Sequence, residues 1–122
     1  MKSNNNRMTR INEEIQREIS NIMRLELKDP RISTMASVLS VETTQDLKYA
    51  KVFISVLGDD TQKQEVMEGL KSANGFIRKE LARRLNLRNT PELTFQLDES
   101  VEYAIKMSKL IDEVSKTISN EE

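Results

Sequence analysis

The chain has 122 residues, with 19 Lys and Arg against 20 Asp and Glu, and it contains no Cys, His or Trp. Those absences exclude a Cys/His zinc site, a Ser-His-Asp or Cys-His relay and a disulfide framework. The length suits one domain, 37% hydrophobic residues can supply its core, and a net charge of −1 speaks, as a total, against a nucleic-acid partner.

The polar opening Met1 to Arg7 carries no apolar run and is read as a frayed end without a signal peptide. No stretch is long and apolar enough for a membrane span, so a soluble cytoplasmic protein is expected. From Arg7 to Leu27 the residues Met8, Ile11, Ile15, Ile19 and Ile22 recur at intervals of three and four, which predicts a helix with one buried face. Asp29-Pro30 stops it, because proline disfavours helical backbone at the residue before it. Val38 and Val41 mark a first strand over 37–43, and Lys51 to Leu57 alternate as a second. The short polar link between them predicts an antiparallel hairpin. After the Gly58-Asp59-Asp60 turn, Thr61 and Gln64 have capping-box spacing for a helix carrying Val66, Met67 and Leu70.

Asn74-Gly75 interrupts that helix, and periodicity resumes with Phe76, Ile77, Leu81 and Leu85, the last two assigned to the core. Beyond Pro91, Leu93, Phe95 and Leu97 alternate as a third strand. Asp98 or Ser100 caps a last helix with Val101, Ile105, Ile111, Val114 and Ile118 as its apolar positions. The predicted class is α+β, in the order α-β-β-α-(kink)-α-β-α, with helices packed on a small three-stranded mixed sheet around one core. The domain is expected to span 7–112, between a flexible 1–6 and a tail over 113–122.

The neutral total conceals a segregated charge. Residues 71–91 hold Lys71, Arg78, Lys79, Arg83, Arg84 and Arg88 against Glu80 alone, while residues 92–122 hold eight acids and three lysines. Only Glu80–Arg84 has favourable i,i+4 spacing in the basic block, so intrahelical pairing does not neutralise it. Such a block is a solvated face or a phosphate-binding patch, and phosphates release counterions to it. Charge reversal at Arg83 and Arg84 is expected to weaken binding and spare the fold. Arg10, Arg17, Arg24 and Arg31 are spaced by seven, which places the first three on one stripe of the first helix, with Lys28 nearby. Glu13, Glu14 and Glu18 lie between them, so this stripe too reads either as solvated surface or as an extension of a binding face. The break at Ala73-Asn74-Gly75 is open between a left-handed helix end and a bend that bares N–H groups to phosphate. Asp59-Asp60 reads as a capping turn, since no second ligand cluster accompanies it. The few aromatic residues are placed mostly in the core, and base stacking is not expected to dominate.

Three stretches taken together, RINEEIQREISNIMRLELKDPRI over 10–32, VLSVETTQDLKYAKVFISVLGD over 38–59 and LKSANGFIRKELARRLNLRNTPELTFQLDESVEY over 70–103, resemble bacterial ribosome-binding factor A. The resemblance implies a KH-like fold of the type II kind, in which Ala73-Asn74-Gly75 stands where ordinary KH modules carry Gly-x-x-Gly. It implies no enzymatic activity, no cofactor and no metal. It implies a monomeric factor that binds the free 30S subunit and assists late maturation of 16S rRNA at its precursor 5′ end, with no membrane or DNA partner. Without Gly-x-x-Gly the usual clamp on single-stranded RNA is not expected, and recognition should rest on folded rRNA and phosphate geometry. Lys71, Arg78, Lys79, Arg83, Arg84 and Arg88 would contact phosphate, Arg10, Arg17, Arg24, Lys28 and Arg31 would extend the surface, and Asn74 and Gly75 would shape the junction. The alternative is an adaptor that docks a basic protein through the acidic C-terminal helix.

Overall fold

Along α1 (Lys2–Leu25) the isoleucine spacing does what it predicts: Ile15, Ile19 and Ile22 are fully buried with Met23, and Ile11 packs half-buried beside them. The computed structural model describes residues 2–87 and 89–121, with side chains over 7–87 and 89–116. The helix begins at Lys2, earlier than Arg7, because extending a nucleated helix adds one hydrogen bond per residue.

α1 ends at Leu25, ahead of Asp29-Pro30, and that pair starts a helix that periodicity did not show, α2 (Pro30–Met35). Asp29 Oδ1 accepts from Arg31 N at 3.0 Å as N-cap, and Pro30 occupies a first-turn position whose missing N–H costs nothing. Only Ile32 of this short helix is buried, too little pattern to detect. The observed order is therefore α-α-β-β-α-α-β-α. Hydrogen bonds from Arg31 hold the Asp29 carboxyl below its ordinary value of 3.8. A depressed carboxyl stabilises the fold fully above its unfolded pKa and loses that share as pH falls through the folded one. The melting temperature of Asp29→Asn should therefore start lower at neutral pH and decline less than the parent's below about pH 4.

β1 (Ala36–Thr43) pairs antiparallel with β2 (Tyr49–Val56), and β3 (Glu92–Leu97) adds parallel to β2 in the order β1-β2-β3. Val38 and Val41 are three apart, which simple alternation would send to opposite faces. The register shifts between Val38 and Ser40, and the irregularity turns both valines toward the core. Along β2, Ala50, Val52, Ile54 and Val56 face the core, while Tyr49 and Lys51 face out. α1, α3 (Asp60–Ser72) and α4 (Asn74–Arg84) cover the inner face of the sheet. Asn12 Oδ1 on α1 also accepts from Thr43 N at 3.0 Å, satisfying a backbone donor at the β1 edge.

The capping box of α3 is Asp59 with Gln62, two residues before the predicted Thr61 and Gln64. Gln62 N donates to Asp59 Oδ1 and Asp59 N to Gln62 Oε1, both at 2.8 Å. Gly58, at φ 136°, turns the chain into that cap, a conformation that favours glycine. The break between α3 and α4 falls on Ala73, at φ −86° and ψ 0°, and Asn74 and Gly75 already belong to α4. Of the two readings left open for this break, the left-handed helix end is not found, because bridge-region backbone at one alanine suffices to redirect the helix axis.

Leu81 is buried as expected, Leu85 only half-buried, and Phe76 is 43% exposed on the outer side of α4. The larger departure is α5 (Ser100–Glu121), whose Val101, Ile105, Ile111 and Val114 are all exposed. Ile118 lies outside the described side chains. The inner face of the sheet is already covered by three helices, so no core surface remains for this stripe. What ties the start of α5 to the body is Lys63 on α3, whose Nζ meets Glu102 at 2.7 Å and Glu99 at 3.5 Å.

Candidate nucleic-acid interface

The α3–α4 junction is anchored to the sheet by its own side chain: Asn74 Nδ2 donates to Leu93 O on β3 at 2.8 Å. One turn later, Arg78 Nε donates to Pro91 O at 3.2 Å and its Nη2 to Thr90 O at 3.0 Å. These bonds hold the segment before β3 against α4. Between them lies an open groove of about 750 Å³, lined by Gly75, Arg78 and Lys79 on one side and by Lys48, Tyr49, Asn89 and the acid Glu92 on the others.

The hairpin turn that presents Lys48 is tightly tied. Thr44 Oγ1 donates to Asp46 Oδ1 at 2.6 Å, Lys48 N donates to the same oxygen at 3.1 Å, and Leu47 takes φ 60°. The Thr44 hydroxyl and the Lys48 N–H lower the Asp46 carboxyl pKa, so the acid stays charged beneath the lysine. Glu92 N donates to Lys48 O at 2.8 Å, fixing the same residue from the β3 side.

The predicted cations do not form one patch. Arg78 and Lys79 share the groove. Lys71 lies in a separate, more apolar depression between α3 and β3, with Met67 and Phe95. Arg83 is exposed and pairs with Glu80 at 2.9 Å, an i,i+3 contact in place of the expected Glu80–Arg84. Arg84 instead reaches α1, where it meets Glu18 at 3.3 Å, and also contacts Glu26 just past its end. Those carboxylates, Glu18 first, raise the Arg84 pKa above its already high ordinary value. Arg88 lies outside the described residues.

On the α1 side, Arg31 is bound to Asp29 at 3.0 Å and Glu65 at 3.1 Å, and Arg24 donates to Asn21 at 2.9 Å. Arg10, Arg17 and Lys28 are exposed and carry no ion pair among the described residues. The structure thus separates Arg83 from Arg84. Arg84→Glu gathers three carboxylates between α1 and α4 and should lower the melting temperature by several degrees, whereas Arg83→Glu, at an exposed site, should leave it nearly unchanged. Thermal melts of the two variants side by side check this.

Lys48, Tyr49, Asn89 and Thr90 are not marked by the charge partition, because they carry little charge or lie tens of positions from the helix they face. The adjacency of a cation and an aromatic at Lys48-Tyr49 is the one signal of them in the residue order. Among the described residues no group of three acidic side chains is placed to hold a metal ion, and no helix is long and apolar enough to cross a membrane.

The family model described as ribosome-binding factor A matches residues 7–111. A ribosome-binding factor A of Lachnospira eligens is 57% identical over 116 residues, covering 95% of this chain and 89% of that protein. The solution structure of a Thermotoga maritima protein assigned as a ribosome binding factor A superposes with a TM-score of 0.66 at 33% identity, covering 74% of this chain and 85% of that one. Coordinates of the Thermus thermophilus factor, fitted into a map of its 30S complex, superpose with a TM-score of 0.63 at 21% identity, over 75% of this chain and 96% of that one. The α+β arrangement is the KH-like fold of those structures.

Proposed function

The chain belongs to the ribosome-binding factor A family, and from that membership we propose a non-enzymatic cytoplasmic assembly factor that binds the free small ribosomal subunit. Its role is to assist late maturation of 16S rRNA and processing of the precursor 5′ end. The single observation that carries the reading is the groove beside the α3–α4 junction, where Lys48, Lys79 and the pinned guanidinium of Arg78 outnumber Glu92, the one acid among the described lining residues. Cations in excess of the acids beside them gain by neutralising phosphate. Gly75, exposed in the first turn of α4, leaves room there, since nothing lies within 4 Å of where its Cβ would stand.

The factor acts by differential binding. It holds one rRNA conformation of the immature subunit, shifts the equilibrium toward that state by its preference for it, and loses affinity when the site is completed. No bond is made or broken by the protein.

Crosslinking of the bound subunit, mapped on both partners, tests this. Lys48 and Lys79 should crosslink to 16S nucleotides; crosslinks from the groove confined to ribosomal proteins would overturn the reading. The adaptor alternative predicts that truncation after Asp112 abolishes subunit binding, and the RNA reading predicts little change. Between Ser100 and Lys116, Glu102, Asp112 and Glu113 stand against Lys106, Lys109 and Lys116, so the acidic excess of residues 92–122 lies outside that stretch of α5.

A further inference from the structure

Tyr49 opens β2 and faces away from the core, with Ala50 and Val52 beside it turned inward. A tyrosine ring 56% exposed leaves apolar surface in water that nothing in the fold requires there. It lines the groove with Lys48, Arg78 and Lys79, and its cross-strand partner Glu92 lines it too.

The ring is carried on backbone that is fixed from both sides. Tyr49 N donates to Thr44 Oγ1 at 3.1 Å and Tyr49 O accepts from Thr44 N at 2.9 Å, while the adjacent Lys48 O accepts from Glu92 N at 2.8 Å. The facing wall is equally fixed, through the Arg78 bonds to Thr90 and Pro91. A platform held this way binds a flat ligand without the entropic cost of ordering a loop.

We propose that this groove takes an unstacked, single-stranded nucleotide, its base laid on the Tyr49 ring and its phosphate held by Lys48 and Lys79. Stacking is indifferent to base identity, because every base has a π-face, and an aromatic platform beside cations is the usual means of holding single strands. This rests on the RNA-binding reading above and adds the class of RNA to it: an unpaired position in the precursor, in place of a surface recognised by phosphate geometry alone.

The test uses the full chain carrying Tyr103→Phe, which leaves Tyr49 as its one tyrosine in a protein without tryptophan. Tyrosine emission is followed during titration with a short single-stranded oligoadenylate and, separately, with a blunt RNA duplex. The oligoadenylate should quench Tyr49. Tyr49→Leu should weaken its binding about tenfold, within the stacking range, while Tyr49→Phe stays within about twofold of the parent. Failure of the oligoadenylate to bind or to quench, or equal quenching by the duplex, overturns the proposal, and the emission readout needs no substitution at position 49. If stacking fails but salt-sensitive subunit binding through Lys48, Arg78 and Lys79 persists, only this inference falls. Loss of that subunit binding as well would remove the underlying reading.

Discussion

Replacing Lys48, Arg78 and Lys79 together by glutamine should weaken binding to the small ribosomal subunit by roughly two orders of magnitude at low salt and flatten its salt dependence. With about five phosphates neutralised, the parent's log–log slope should lie near −3.5 to −4.5, and each lost contact should remove roughly 0.7 to 0.9 from it. Raising salt about fourfold should then cost the parent a hundredfold or more in affinity, and the triple variant far less. Filter binding or fluorescence anisotropy across a salt series measures both. A flat dependence in the parent would sink the electrostatic mechanism. Because Arg78 also ties α4 to Thr90 and Pro91, the Lys48 and Lys79 single variants should be measured beside the triple one. Substituting Arg84, by contrast, should change stability more than affinity, since its charge is spent on Glu18 and Glu26.

Leu81→Ala should lower the unfolding free energy by about 2–5 kcal/mol, through lost transfer energy and the cavity left behind. Against a total of roughly 5–15 kcal/mol for a domain of this size, that is enough to unfold a large part of the population near the growth temperature. Leu81 is fully buried with Ile77 and Ile19, where α4 and α1 contribute to the same core. Urea denaturation should show a lowered midpoint with an unchanged slope. Lys79→Gln, two residues earlier and exposed, should leave the midpoint nearly where it was. The pair separates the two faces of α4: one holds the domain together, the other is the face proposed to meet the ligand.

Much of this architecture is legible in the order of residues. The isoleucine spacing of α1, the alternation in β2 and β3 and the interruption between α3 and α4 each belong to a short stretch of chain, and local periodicity reports local structure. The Val38–Val41 spacing can be read as a strand, but its irregularity depends on β2 and the helix layer, which the strand itself does not encode. Asp29-Pro30 illustrates a signal with two meanings: the proline that cannot continue one helix is well placed to begin another. The stripe on α5 shows the limit of amphipathicity. A pattern of apolar residues says that a face suits burial, and whether the core has space for that face is decided by the other helices.

The binding surface divides in the same way. Composition tells at once that the chain lacks the groups for relay catalysis or a Cys/His metal centre, and partition of its charge finds the cationic block on α4. Those conclusions need only the identity and order of residues. Which cations face a ligand is a different kind of fact, because charges pair through space: Arg84 finds Glu18 on α1 and Glu26 just past its end, Arg31 finds Glu65 on α3, and Arg78 directs donors to the carbonyls of Thr90 and Pro91. The fold alone brings Lys48 and Tyr49 from the hairpin to Lys79 on α4. The near-neutral total thus settles into internal pairs and into unpaired cations, some on α1 and some beside the α3–α4 groove. Residue order sets the elements and the supply of charge; the packing of those elements selects, through pairing across space, the charges that stay free for a ligand.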